Sequence, residues 1–165
     1  TYPLPEAQVD RFMFKLIVDY PDLDSERLIL RQNTKSVNVD DLDSVVSSQA
    51  ILNAQSVIHD IYVDEKVEDY VLNLVFATRN PAEHGLNDLE GIIEYGASPR
   101  ATINLIRGAK ARAFIEHRGY ITPEDIRYSG ADVLRHRIIL TYEAEAEELT
   151  TEDVIQRLFE VVEVP

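Results

Sequence analysis

Two arginines stand where the chain could bring positive charge to an anion. Arg100 falls in the first turn of the clearest helix start in the sequence, Ser98-Pro99-Arg100. There a hydroxyl occupies the N-cap and a proline the first helical position, where its missing N–H costs nothing. A guanidinium in that turn is badly placed against the helix dipole, so something anionic has to compensate it. The compensating group could be a bound anion gripped by both the first helical amides and Arg100. It could equally be a carboxylate of this acid-rich chain, and the stretch alone leaves both readings open. Arg11 ends a short turn, Asp10-Arg11-Phe12, just ahead of an apolar run. Taken alone, those residues read as an ordinary surface ion pair of Arg11 with Asp10 or Glu6.

Other chemistries find less support. Nucleotide hydrolysis needs a glycine-rich loop whose amides cradle phosphates, followed by Lys and Ser or Thr. Gly91 and Gly96 have the glycine spacing, but Ala97-Ser98 follow, and no apolar strand ends in Asp-Glu to hold a metal. The chain is therefore expected neither to bind nor to hydrolyse ATP by itself. The four histidines, 59, 84, 117 and 136, lack ligand-like spacing, so no metal site is expected. Glu143, Glu145, Glu147 and Glu148 read as a solvated face, with no nucleophile or base beside them. A net charge of -14 repels phosphate backbones and argues against nucleic acid as a partner. The absence of Cys suits a reducing compartment, and no apolar run approaches the roughly 20 residues that cross a bilayer. The amino end also lacks the pattern of a signal peptide, so a cytoplasmic protein without membrane insertion is expected.

The elements that must position these residues are mostly helical. Phe12-Met13-Phe14-Lys15-Leu16-Ile17-Val18 is aromatic and β-branched, closes at Asp19-Tyr20-Pro21, and reads as one buried strand. Everything after it reads as helix and turn, so that strand would finish a sheet whose other strands lie elsewhere, and the chain would begin inside a domain. A helix capped by Asp24 or Ser25 should run to Gln32, and a second from Asp40-Asp41 to Ile58. A third, from Asp64, places Val67, Val71, Leu74 and Val75 on one face and ends by Asn80-Pro81. A long irregular loop from Asn80 to Ala97 leads into the Ser98 helix, which should extend to His117. Thr122-Pro123-Glu124-Asp125 repeats the cap-plus-proline device with Asp125 set to complete a capping box, opening a helix to residue 134. Thr150 or Thr151 caps a last helix to Val162.

Four segments carry a family resemblance: Thr1-Tyr2-Pro3-Leu4-Pro5-Glu6-Ala7-Gln8-Val9-Asp10-Arg11-Phe12, Gly96-Ala97-Ser98-Pro99-Arg100-Ala101, Tyr120-Ile121-Thr122-Pro123-Glu124-Asp125-Ile126 and Val133-Leu134-Arg135-His136-Arg137-Ile138. In order and approximate spacing they resemble the C-terminal half of MoxR-type AAA+ ATPases. The resemblance implies a mainly α fold: residues 1–18 are the end of an α/β core with one residual strand, and residues 19–165 are the helical lid. It implies that Arg11 is an arginine finger acting on the neighbouring subunit's nucleotide and that Arg100 is a sensor 2 residue, with Ser98 and Pro99 beside the nucleotide. It further implies ATP and Mg2+ as cofactors of the full-length protein, the chain's own N-terminal AAA+ core as partner, and a homo-oligomeric ring, a hexamer. The implied activity is chaperone-like remodelling, with von Willebrand factor A domain proteins among the partners. The competing reading is a free-standing acidic helical adaptor, which should not open with an unpartnered apolar strand.

Overall fold

Four helices make the core, and local sequence explains where each begins. The computed structural model describes residues 4–34 and 44–165. Helix α1 is a single turn, Glu6–Val9. Helix α2, Leu23–Asn33, starts two or three residues earlier than Asp24 or Ser25 would place it, because Asp22 is the cap and accepts from the Ser25 amide at 2.7 Å. Helix α3, Ser48–His59, is capped by Ser47. Asp40 and Asp41, the expected start of that helix, lie outside the described residues. Helix α4 spans Glu65–Ala77 with Asp64 as cap, and α5 spans Pro99–Ile115 with the Ser98 hydroxyl accepting from the Arg100 amide. Helix α6, Pro123–Leu134, carries the Thr122/Asp125 capping box. Helix α7, Tyr142–Ala146, lies in the acidic stretch, and α8, Thr151–Val161, is held by a second box between Thr150 and Asp153.

Helices α4, α5, α6 and α8 enclose one apolar core. Val67, Val71, Leu74 and Val75 line the inner face of α4. Helix α5 contributes Ala101, Leu105, Ala109 and Ala113 at every fourth position, three of them small enough to let its neighbours approach. Ile126, Val133 and Leu134 of α6 and Val154, Ile155 and Leu158 of α8 complete it. Each fully buried Leu or Ile stabilises the fold by about 1.5–3 kcal/mol.

Two expectations are corrected. The segment from Asn80 to Ala97 is not a bare loop: short 3-10 turns at Pro81–His84 and Asn87–Leu89 bury Leu86 and Leu89, and strand β1, Ile93–Tyr95, follows. Strand β1 pairs antiparallel with β2, Ile139–Leu140, so a two-stranded ribbon exists where only helix and turn were expected. Residues 12–18, read as a buried strand, pair with no strand among the described residues; their exposure, with Phe12 at 57% and Val18 at 88%, is what a segment whose sheet lies elsewhere should show. A strand needs a partner edge, and among the described residues this segment has one backbone bond to a distant element, from the Lys15 amide to the Asp132 carbonyl at 2.9 Å. Helices α2 and α3 likewise bury none of their residues; Leu28, Ile29, Leu30, Ile51, Leu52 and Val57 are exposed.

The approach to α5 is fixed by close contact with the end of α4. The Thr78 hydroxyl accepts from the Ala97 amide at 2.9 Å and donates to the Val75 carbonyl, while Arg79 Nε donates to the Ala97 carbonyl at 2.8 Å. Gly96 makes this possible, since a Cβ there would stand 2.5 Å from the Thr78 carbonyl oxygen. Backbone cannot yield as a side chain does, so Gly96→Ala should destabilise the chain by about 1–3 kcal/mol, the order of an overpacking substitution. Urea unfolding of the two proteins checks this, and an unchanged midpoint would mean that the α4–α5 junction is not tight.

Candidate functional site

The start of α5 meets the turn that follows α1, and a single carboxylate joins them. Asp10 lies at the end of α1 and receives three side chains. The Ser98 hydroxyl donates to it, 2.9 and 3.0 Å from its two oxygens, Arg100 Nη1 donates to Oδ2 at 2.9 Å, and Arg137 Nε donates to Oδ1 at 3.1 Å. Ser98 thus serves two ends at once, accepting from the Arg100 amide as N-cap while its proton goes to Asp10. The anion that a first-turn arginine demands is, in this structure, the protein's own Asp10.

Arg137 holds the other side of this contact. Its side chain is fully buried, whereas that of Arg100 is 51% exposed and that of Asp10 is 19% exposed. Nη2 donates to the carbonyls of Asp10 and Phe12, and Nη1 to those of Met13 and Val133. The two residues before it continue the grip. Arg135 donates to the Lys15 carbonyl and pairs with Asp132 and Glu152, and His136 Nε2 bonds the Phe12 carbonyl at 3.0 Å. Three consecutive side chains after α6 therefore take up the carbonyls of Asp10, Phe12, Met13 and Lys15, which would otherwise be open to a neighbouring strand.

The charges follow from these contacts. Burial pushes the Asp10 carboxyl upward, but hydrogen bonds from Arg100 and Ser98 and the charges of Arg137 and Arg100 outweigh it and hold it below the usual carboxylate range. Burial disfavours the Arg137 cation, and Asp10 opposes that effect. Burial also lowers the His136 imidazole, helped by Arg137 and Lys15 against the Phe12 carbonyl and Asp10. A neutral ring that meets a carbonyl through Nε2 must carry its proton there, and its Nδ1 is buried without a partner.

Of the residues named from sequence, Ser98, Pro99 and Arg100 stand together at one corner with Asp10. Arg11 is adjacent in the chain, but its side chain is exposed, and among the described residues it pairs with neither Asp10 nor Glu6. Asp10 is already occupied by Arg100, Arg137 and Ser98. Sequence reasoning missed Arg137 and gave Asp10 only an ion pair with Arg11. The available signal was the run Arg135-His136-Arg137 between the buried Leu134 and Ile138, too polar for its surroundings unless partnered. The arrangement is a cationic corner able to hold an oxyanion on Arg100 and the α5 amides once Asp10 gives way.

Asp10 and His136, both depressed, have the same sign for stability. A folded pKa below the unfolded value contributes stability that is complete above the unfolded pKa and lost as pH falls through the folded one. His136 should therefore weaken the chain as pH falls below about 6.5, and Asp10 again below about 4. His136→Gln, whose amide can still donate to the Phe12 carbonyl, should remove the first decline and keep the second. Chemical unfolding of both proteins at pH 7 and pH 5 measures this. An identical loss between those pH values in the two would exclude His136 as the source.

Residues 89–158 match the AAA lid domain family. The chain is 40% identical to Chaperone MoxR1 of Mycobacterium tuberculosis over 99% of its own length and 43% of that protein. It is 34% identical to Protein MoxR of Paracoccus denitrificans over 100% of its length and 52% of that protein. A crystal structure of a "putative ATPase" from Cytophaga hutchinsonii superposes with a TM-score of 0.95 at 45% identity, covering 99% of this chain and 50% of that one. The chain thus spans about half the length of the relatives it matches. No described helix is long and apolar enough to cross a membrane. Over its full length the chain is thus similar to proteins named MoxR, and residues 89–158 within it carry an AAA lid domain.

Proposed function

We propose that the chain is the C-terminal half of a cytoplasmic AAA+ ATPase, residues 1–18 ending its core and residues 19–165 forming its lid, and that it works in a homo-oligomeric ring, a hexamer. The reaction is hydrolysis of ATP to ADP and phosphate, used for chaperone-like remodelling or activation of other complexes, von Willebrand factor A domain proteins among them. The observation that carries this reading is the convergence of Ser98, Arg100 and the Asp10–Arg11 turn at one corner. Its available donors, the Arg100 guanidinium, the Ser98 hydroxyl and the α5 N-terminus, suit the terminal phosphate of a nucleotide.

In this reading Arg100 exchanges Asp10 for the terminal phosphate of its own subunit's nucleotide, and Ser98 and Pro99 keep the α5 amides directed at the same point. ATP with Mg2+ supplies the phosphoryl chemistry from the core. Arg11, exposed and uncommitted to Asp10, reaches the nucleotide of the neighbouring subunit and stabilises charge in its transition state. Loss of the phosphate returns Arg100 to Asp10 and turns the lid against the core. The exposed apolar residues of 12–18, α2 and α3 fit a chain whose own core covers them. A free-standing adaptor would leave that surface in water.

In the full-length ring, Arg11→Ala should leave nucleotide binding nearly intact and lower hydrolysis by about 10³-fold or more, the order for a lost arginine finger. Arg100→Ala should weaken nucleotide binding in the subunit that carries it while the lid stays folded. Mixing Arg11→Ala subunits with subunits disabled in hydrolysis but carrying Arg11 should restore turnover. Hydrolysis at wild-type rates by an assembled Arg11→Ala ring would return Arg11 to an ordinary surface charge.

A further inference from the structure

The two arginines of the proposed mechanism are joined through Asp10, and the joint has a permanent side and a breakable one. Arg11 makes no side-chain hydrogen bond or ion pair among the described residues, so its backbone sets the point and direction from which its guanidinium reaches out. That backbone is held on both flanks by one group: Arg137 donates to the carbonyls of Asp10, Phe12 and Met13 and to the Asp10 carboxylate, and also to the Val133 carbonyl at the end of α6. With its side chain fully buried, Arg137 is the permanent side. Arg100 meets the same carboxylate from a half-exposed position, and it is the partner that an incoming oxyanion can draw away.

We propose that Arg137 and Asp10 are positioning residues for Arg11. Arg137 sets the turn that presents it, and the Asp10 carboxylate links that turn to Arg100. The nucleotide state of one subunit thereby alters the placement of the arginine it offers to the next. The inference rests on the finger and sensor reading of Arg11 and Arg100. It adds a route between them that uses no contact outside residues 10–13, 98–100 and 133–137.

The test uses the full-length ring, with steady-state hydrolysis measured against ATP concentration for Arg137→Lys, Asp10→Asn and, as a control, Arg11→Ala. Lysine keeps the charge but cannot meet three carbonyls and a carboxylate at once. Arg137→Lys should therefore lower kcat by roughly 10-fold to 100-fold with KM for ATP unchanged, since a misplacement of about 1 Å costs on the order of 10²-fold. Mixing Arg137→Lys subunits with subunits disabled in their own nucleotide cradle should restore turnover, because the intact neighbour supplies a well-placed Arg11; misfolding would not be rescued this way. Asp10→Asn should fold and hydrolyse, but with the Hill coefficient for ATP reduced toward unity, because Arg100 no longer reports through a carboxylate. If Arg11→Ala abolishes hydrolysis while Arg137→Lys and Asp10→Asn keep wild-type kcat and Hill coefficient, the coupling is wrong and the finger reading stands. If Arg11→Ala itself has no effect, the finger reading fails and the coupling falls with it.

Discussion

A buried guanidinium cannot be left without a counter-charge, and much of this structure is arranged around meeting that demand at Arg137. Removing a cation from water costs several kcal/mol unless a carboxylate and further acceptors receive it. Asp10 supplies the carboxylate, and the backbone of residues 10–13 supplies most of the acceptors. The exchange runs both ways, because those carbonyls belong to a segment with no neighbouring strand among the described residues. The residues after α6 thus take up four carbonyls of residues 10–15, and Asp10 in turn balances the charge of Arg137.

The same principle of mutual satisfaction operates on the opposite side of the site. Thr78 and Arg79 at the end of α4 hold Ala97, the residue before the α5 cap, through its amide and its carbonyl. The start of α5 is consequently fixed from two directions, by α4 behind it and by Asp10 in front. A helix terminus set this firmly keeps its first amides and Arg100 aimed at one point. Arg100 itself stays half exposed, which lets it change partners without disturbing the core.

What the sequence made legible follows the range of each interaction. Caps are local: Ser98 and Thr122 with Asp125 were readable, and Thr150 was one of two candidates with Thr151, because a helix start needs its partner within three residues. The inner face of α4 was readable because its period of three and four residues is a property of the segment itself. The β1–β2 ribbon was not, since strands of two or three residues carry no pattern and their pairing joins Ile93 to Leu140. Residues 12–18 have the composition of a strand, but a strand is made by its neighbour, and composition cannot supply one. Ser98 and Arg100 were legible from the chemistry of a helix start. Arg137 was not, because its meaning comes from Asp10, 127 residues earlier in the chain.

The account stands or falls on whether Asp10 and Arg137 act as one unit. A double-mutant cycle on this chain, using Asp10→Asn, Arg137→Lys and the pair, with stabilities from chemical unfolding at pH 7, measures that directly. The account predicts that the two changes are non-additive, with a coupling of about 1–3 kcal/mol, the range for residues sharing a buried charged contact. Additive effects within about 0.5 kcal/mol would show two independent sites and contradict it.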